Sequence, residues 1–263
     1  MKFILDEAAY VNELIETKSL GKSYRISIRL LLKYLQNQGM EKDEAIRFVR
    51  SFILDCLPSS KWSEWETLTG RLADLVYKNP LPMVKVERVV IDSEELETIL
   101  SAPTFDEQKV LYCLLVYKKV QNQMSSQTND WFTGSLGEIF QMARITGKKA
   151  NVVSQCELIN RLKEAGYLDL AKSIKNLNLK LNYLHHESKD EAMVITHFED
   201  VIHDFYAYLG HRVVRCQYCG KMIKLKKKER ASKRYCPVCV KIRNHDRVKE
   251  HRLRQKTDQN VEM

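Results

Sequence analysis

Cys216-Gln-Tyr-Cys219 and Cys236-Pro-Val-Cys239 form two Cys-x-x-Cys pairs with sixteen residues between them. That spacing suits four thiolates closing a tetrahedron about one zinc per chain, because a two-residue spacer lets both sulfurs of a pair reach a metal at roughly 2.3 Å without strain. Gly220 follows the first pair, where the turn needs a residue that tolerates positive φ. Pro237 lies inside the second, where its fixed φ suits the first turn of a helix that would run on through Val240, Ile242, Val248 and Leu253. A knuckle, a loop or short hairpin, and then a pair that opens a helix is the order of a treble-clef or ribbon-like zinc finger. A disulfide pair is the other use of such cysteines, and it belongs to small secreted chains.

The charge sits in the same place. Between His211 and Lys256 there are seventeen Lys or Arg against three acids (Glu229, Asp246 and Glu250), a balance of +14, whereas the whole chain carries +9 and the remainder therefore −5. Four thiolates and one zinc would subtract two charges and leave the segment near +12, still enough to seek a polyanion. The candidate phosphate contacts are Lys221, Lys224, Lys226, Lys227, Lys228, Arg230, Lys233, Arg234, Arg243 and Arg247. A finger needs no such density of cations merely to fold, so nucleic acid is the expected partner and a solvated basic tail the alternative.

A chain of 263 residues, 44% apolar and 29% charged, is long enough for a buried core and for two or three domains. Nine Gly and five Pro predict a mainly α protein with few tight turns. Met1 to Glu7 has only three apolar residues after the initiator before its acids begin, which is not the pattern of a secretory signal. The longest apolar run, Val110 to Tyr117, is far short of a membrane span, so no membrane association is expected and a reducing compartment follows. Cys56, Cys113 and Cys156 stand singly in apolar helical patterns and read as small core residues.

Residues 1–79 read as a helical bundle. Its apolar stripes are Ile26, Leu30, Leu31, Tyr34 and Leu35 after a cap at Ser23; Ala45, Ile46, Val49, Phe52, Ile53 and Cys56; and Trp62, Trp65, Leu68, Leu72, Leu75 and Val76. The tryptophans fall on the stripe, which favours core packing over a partner-binding surface. Asn79-Pro80-Leu81-Pro82 breaks the rhythm, and residues 80–103 read as a linker with a strand over Met83 to Ile91 and a short helix opening at Ser93.

Residues 104–195 carry an interpretable order. Thr104-Phe-Asp-Glu107 is a capping box before an apolar helix; Trp131-Phe132 is a short strand; Leu136, Ile139, Phe140 and Ala143 mark a helix; and Ile145 to Lys149 resembles a helix-turn-helix turn. The next helix, about Ala150 to Ala165, is expected to turn Val152, Val153, Cys156, Ile159 and Leu162 inward. Tyr167 to Leu170 and Leu177 to Tyr183 then make a two-stranded wing, the order of a winged-helix domain. On that reading Asn151 and Gln155 would read base edges, and Lys148 and Lys149 would hold phosphates. Protein contact is the alternative for this helix, since any surface helix is polar. Met193-Val-Ile195 reads as a further strand. Residues 196–210, opened by Thr196-His-Phe-Glu199, form a connecting helix to the finger at 211–256, and 257–263 are a tail.

No enzyme is expected. An HNH nuclease, which also sets paired cysteines on a basic domain, needs a histidine beside a metal to activate water, and none lies between Cys219 and Cys236. His185, His186, His197 and His203 show no carboxylate cluster at ligand spacing, and phosphate-binding, dinucleotide and nucleophile-elbow motifs are missing.

Ser93-Glu-Glu-Leu96, the apolar helix Val110 to Tyr117, and Asn160-Arg-Leu-Lys-Glu-Ala-Gly-Tyr167 leading to an Asn-rich wing resemble winged-helix proteins encoded by phages and mobile elements of Firmicutes. In those proteins a short cysteine finger often follows, similar to Cys219-Gly-Lys221 and Tyr235-Cys236. The resemblance covers the C-terminal two-thirds and implies a DNA-binding or replication-associated protein in a bacterial cytoplasm, at the nucleoid when bound. The combined expectation is a zinc-dependent binder of duplex DNA acting in transcription regulation or replication. An adaptor or inhibitor that binds a host or element-encoded protein, with residues 1–79 as a possible docking unit, is the second reading. RNA or single-strand binding through Tyr218 and Tyr235 is the third.

Overall fold

Apolar spacing along the first eighty residues produces four helices: α1 (Glu7–Thr17), α2 (Tyr24–Asn37), α3 (Lys42–Cys56) and α4 (Glu66–Lys78). The computed structural model describes residues 3–125, 128–147, 151–171, 178–220, 222–225 and 235–248. It divides into two units, one of Lys2–Glu87 with Lys119–Asn129, the other of Arg88–Lys118 with the chain from Asp130 onward.

In the first unit α2 packs against each of α1, α3 and α4. Ile28, Leu31 and Leu32 of α2 are fully enclosed with Val11, Val49 and Ile53, and each such side chain contributes about 1.5–3 kcal/mol by leaving water. Trp62 and Trp65 are half-buried against this core, the indole N–H of Trp65 donating to Ser60 Oγ at 2.6 Å. Two members of the expected stripes, Ile26 and Leu75, are instead exposed, and Ser23 precedes α2 without a side-chain cap bond. The strand expected over Met83 to Ile91 is two separate pairings. Val84 and Val86 bond to the chain at Leu5 to Glu7, in this unit, while β1 (Val89–Ile91) pairs antiparallel with Met193–Ile195 in the other.

The second unit contains β1, α5 (Ser93–Leu100), α6 (Phe105–Met124, its last residues belonging to the first unit), β2 (Trp131–Phe132), α7 (Leu136–Met142), α8 (Val152–Glu164), β3 (Leu168–Leu170), β4 (Leu179–Leu181), β5 (Met193–Ile195) and α9 (Ile202–Tyr208). Strands β2, β4 and β3 form an antiparallel sheet in that spatial order. Far from serving only as linker, β1 and α5 bury Val89, Ile91, Leu96 and Ile99. The cap of α5 is Asp92, not Ser93: its carboxylate accepts from the Glu95 N–H, and the Glu95 carboxylate accepts from the Asp92 N–H. From Val110 to Val116 every residue of α6 is buried, as expected of a helix apolar on all sides. The Tyr112 ring stacks on Phe205 of α9 at 4.7 Å, and its hydroxyl donates to the Val201 carbonyl at 3.1 Å.

The capping box at Thr104 forms as the sequence predicts, Glu107 accepting from the Thr104 N–H at 3.1 Å and donating its own N–H to Thr104 Oγ1 at 3.3 Å. The buried Glu107 carboxylate also receives Arg161 of α8 at 2.8 Å. Burial pushes its pKa up, but the bonds from Arg161 and Thr104 outweigh that and hold it below the ordinary glutamate value. A carboxyl depressed in the folded state adds stability that is complete above its unfolded pKa, about 4.3, and that is lost as pH falls through the folded value. Glu107→Gln is expected to cost about 1–3 kcal/mol at pH 7 and to lose less stability than the wild type between pH 5 and acid. Urea melts at both pH values measure this.

Candidate metal centre

A short hairpin, β6 (Val213–Arg215) and β7 (Met222–Lys224), carries the first cysteine pair in its turn. Gly220 closes that turn with φ 72°, its N–H donating to the Cys216 carbonyl at 2.9 Å. Residues 237–248 are helical (α10), with Pro237 at the first helical position and the Val240 N–H donating to the Cys236 carbonyl at 2.9 Å. These elements bring Cys216, Cys219, Cys236 and Cys239 together with all four sulfurs within 4.8 Å of one another.

The sulfur geometry distinguishes a metal centre from a disulfide. A tetrahedron with metal–sulfur bonds of about 2.3 Å has edges of about 3.8 Å, and Cys219 Sγ lies 3.8 Å from Cys236 Sγ. A disulfide would hold its sulfurs at about 2.05 Å, and all four cysteines are free thiols. The Cys236 N–H donates to Cys216 Sγ at 3.3 Å and the Cys239 N–H to Cys236 Sγ at 3.4 Å. Burial pushes the Cys216 thiol up, but backbone N–H groups of Cys219, Cys236 and Tyr218 more than offset it and hold the group at about 6. Donors aimed at sulfur favour thiolate, the species a zinc ion binds. The four cysteines fit a structural zinc, which would supply the cross-link that orders the finger.

The finger rests on α9, Lys224 Nζ lying 3.7 Å from the Tyr206 ring centroid. Within the hairpin Arg215 donates to the Gly220 carbonyl at 3.1 Å, and His197, which precedes α9, stands against Gly220. A Cβ at Gly220 would fall 2.1 Å from His197 Nε2. Gly220→Ala therefore meets both a contact and the left-handed φ, which alone costs about 1–2 kcal/mol, and it is expected to weaken zinc retention against a competing chelator by roughly tenfold or more. In a His197→Ala background part of the loss returns, since only the φ cost remains. The Thr196 capping box does not form: α9 begins after Val201 with no side-chain cap, and Thr196 Oγ1 is bonded to His197 Nδ1 at 3.0 Å. The short α9 replaces the longer connecting helix expected over 196–210.

Of the proposed phosphate contacts, Lys224 lies over Tyr206 and Arg243 over Tyr235 at 4.0 Å, while Arg247 is exposed on α10. Lys221, Lys226, Lys227, Lys228, Arg230, Lys233, Arg234, Lys148 and Lys149 lie outside the described residues. Lys241, absent from the expected set, is exposed on α10. Every residue of α10 from Val240 to Val248 is exposed.

The expected inward side of α8 is corrected, and the two expected base readers take the places the helix gives them. Asn151 is the N-cap of α8, its side-chain oxygen accepting the Ser154 N–H at 2.8 Å. Gln155 is half-buried, while Val152 and Val153 are 73% and 67% exposed and Cys156 is exposed. The core side of α8 is set by Leu158, Ile159 and Leu162. At about 100° per residue, that arc carries Gln155 inward and turns Val153 and Cys156 to solvent.

No family model, curated protein or solved structure matches this chain.

A second group of ligand-type side chains escaped the sequence reading: His185 Nδ1 lies 2.8 Å from Asp92 Oδ2, and Glu95 completes a cluster within 4.8 Å. Glu95 Oε1 accepts the His185 N–H at 2.9 Å, and the remaining oxygens serve the α5 cap. The carboxylates that surround His185 come from residues far upstream in sequence, so no local spacing announced them. Among the described residues no helix is long and apolar enough to cross a membrane.

Proposed function

We propose that this is a zinc-dependent nucleic-acid-binding protein whose partner is duplex DNA. The observation that carries the reading is α10, a helix exposed on every side from Val240 to Val248 that bears Lys241, Arg243 and Arg247 against Asp246 and leads out of the four-cysteine cluster. An exposed helix with three cations is suited to a groove, and the +14 of residues 211–256 supplies the attraction to phosphate.

The order α6, β2, α7, α8, β3, β4 with β2 and β3 flanking β4 supports reading this part as a winged helix, with α8 as a second groove helix. Its exposed first turn would then offer Val152 and Val153 to thymine methyl groups, with the amide readout of Asn151 and Gln155 diminished. The resemblance to phage and mobile-element proteins supports a role in regulating or replicating such an element.

A second reading, as an adaptor that docks a protein, is favoured by the same apolar turn of α8, because Val152, Val153 and Cys156 form an exposed apolar cluster. Single-strand or RNA binding loses Tyr235, which is covered by Arg243, and keeps Tyr218, which is exposed. Competition of duplex DNA, single-stranded DNA and RNA of random sequence for the full chain, with and without chelator, tests the set. Preference for duplex that disappears with chelator is the expected result, and chelator-insensitive binding or none at all overturns the proposal.

A further inference from the structure

The four cysteines of the metal centre are unequally protected. Cys216, Cys236 and Cys239 are 2%, 4% and 2% exposed, whereas Cys219 stands exposed in the β6–β7 turn beside the exposed Gln217 and Tyr218. Oxidation of a thiolate follows its access to solvent, so a small oxidant meets Cys219 first.

A second thiol is in place to complete the reaction. Cys236 Sγ lies 3.8 Å from Cys219 Sγ and accepts the Cys239 N–H at 3.4 Å, a bond that favours its thiolate form. The two sulfurs must close by only about 1.8 Å to reach the disulfide distance. They belong to different elements, Cys219 to the hairpin turn and Cys236 to the residue before α10.

We propose that the centre is a hydroperoxide-operated switch, with Cys219 the sulfur oxidised first and Cys236 the one that resolves it. The Cys219 thiolate attacks one oxygen of hydrogen peroxide, the O–O bond breaks, and the departing hydroxide takes up a proton. Cys219 is then a sulfenic acid, and the peroxide has gained two electrons. The Cys236 thiolate attacks the Cys219 sulfur next; the S–S bond forms, the S–O bond breaks, and a second hydroxide leaves and is protonated. Two thiolates, one peroxide and two protons thereby give one disulfide and two waters.

Cys216 and Cys239 alone are then left to hold the metal, too few for a structural site, and zinc is lost. The new bond tethers the hairpin to α10, but the small core of Cys216, Ile223, Cys236 and Cys239 no longer has the four-way cross-link that sets the angle of that helix. The resulting loss of DNA affinity rests on the reading as a zinc-dependent binder of duplex DNA, whereas the sulfur chemistry does not.

Full-length Cys156→Ala protein, which lacks the other exposed cysteine, is loaded with zinc and titrated with hydrogen peroxide. Zinc release is followed with a chromogenic indicator, early sulfenic acid is trapped with dimedone, and the final disulfide is located by peptide mass. The expected result is about one zinc released per peroxide consumed, a dimedone adduct on Cys219, a Cys219–Cys236 disulfide, and recovery of zinc binding after dithiothreitol. Cys219→His in the same background keeps a fourth ligand without the exposed sulfur, and is expected to release zinc about tenfold more slowly. Zinc retained through a roughly tenfold excess of peroxide, a first adduct on a buried cysteine, a disulfide that excludes Cys219, or a Cys219→His variant that releases zinc as fast as its parent each overturns the proposal. Binding of random-sequence duplex is read on the same samples. Protein that never binds duplex but releases zinc in this way refutes the nucleic-acid reading and supports the redox chemistry, whereas complete zinc release with duplex affinity unchanged overturns the switch.

Discussion

Cys219→Ala is expected to abolish stoichiometric zinc and, with it, the ordered finger. A small finger has a core of Cys216, Ile223, Cys236 and Cys239 with Val214 and Tyr235 against it, too few apolar groups to fold without a cross-link. Zinc bound to such sites is worth on the order of 10–16 kcal/mol at neutral pH, and that binding energy is folding energy. Cys219 is the exposed member of the four, so its replacement removes a ligand while leaving little cavity. The matched control is Cys156→Ala, also exposed but far from the cluster in sequence, which should leave metal content unchanged. Metal analysis of anaerobically purified protein decides the matter. A Cys219→Ala protein that keeps one equivalent, or a wild type with less than half an equivalent, refutes the metal centre.

The second large effect is on salt dependence. If about six cations of the finger neutralise phosphates of duplex DNA, the log–log plot of affinity against salt falls with a slope near −5. Replacing Lys241, Arg243 and Arg247 together by glutamine should make that slope shallower by about 3 and weaken binding regardless of sequence. Arg243 also packs over Tyr235, so zinc content of the triple variant is measured alongside. A variant that keeps its zinc and binds as the wild type does would show that α10 is not the contact, and a titration flat from low to physiological salt would remove the phosphate grip altogether.

The cysteine centre was legible because its chemistry is written in local spacing: two pairs, a glycine after the first and a proline within the second all act within a few residues. The capping box at Thr104 and Glu107 was legible for the same reason. The inward side of α8 was not, since Val152, Val153 and Cys156 make as good an apolar arc as Leu158, Ile159 and Leu162. Only tertiary packing decides which arc meets a core. The pattern at Thr196 matched a capping box, yet the local geometry instead bonds Thr196 to the adjacent His197 ring. Groupings that draw on distant segments were out of reach. His185 with Asp92 and Glu95 and the separate pairings on either side of Glu87 both require knowing which segments meet.

The pairing of Val89 with Ile195 has a consequence for biosynthesis. While the ribosome is still making the segment between them, β1 presents unpaired backbone groups to its surroundings, and closure waits on a distant strand at the entropic cost that slows folds of high contact order. A chain truncated before Met193 should thus emerge with an adhesive edge and aggregate, whereas one ending just after Ile195 has the means to seal it.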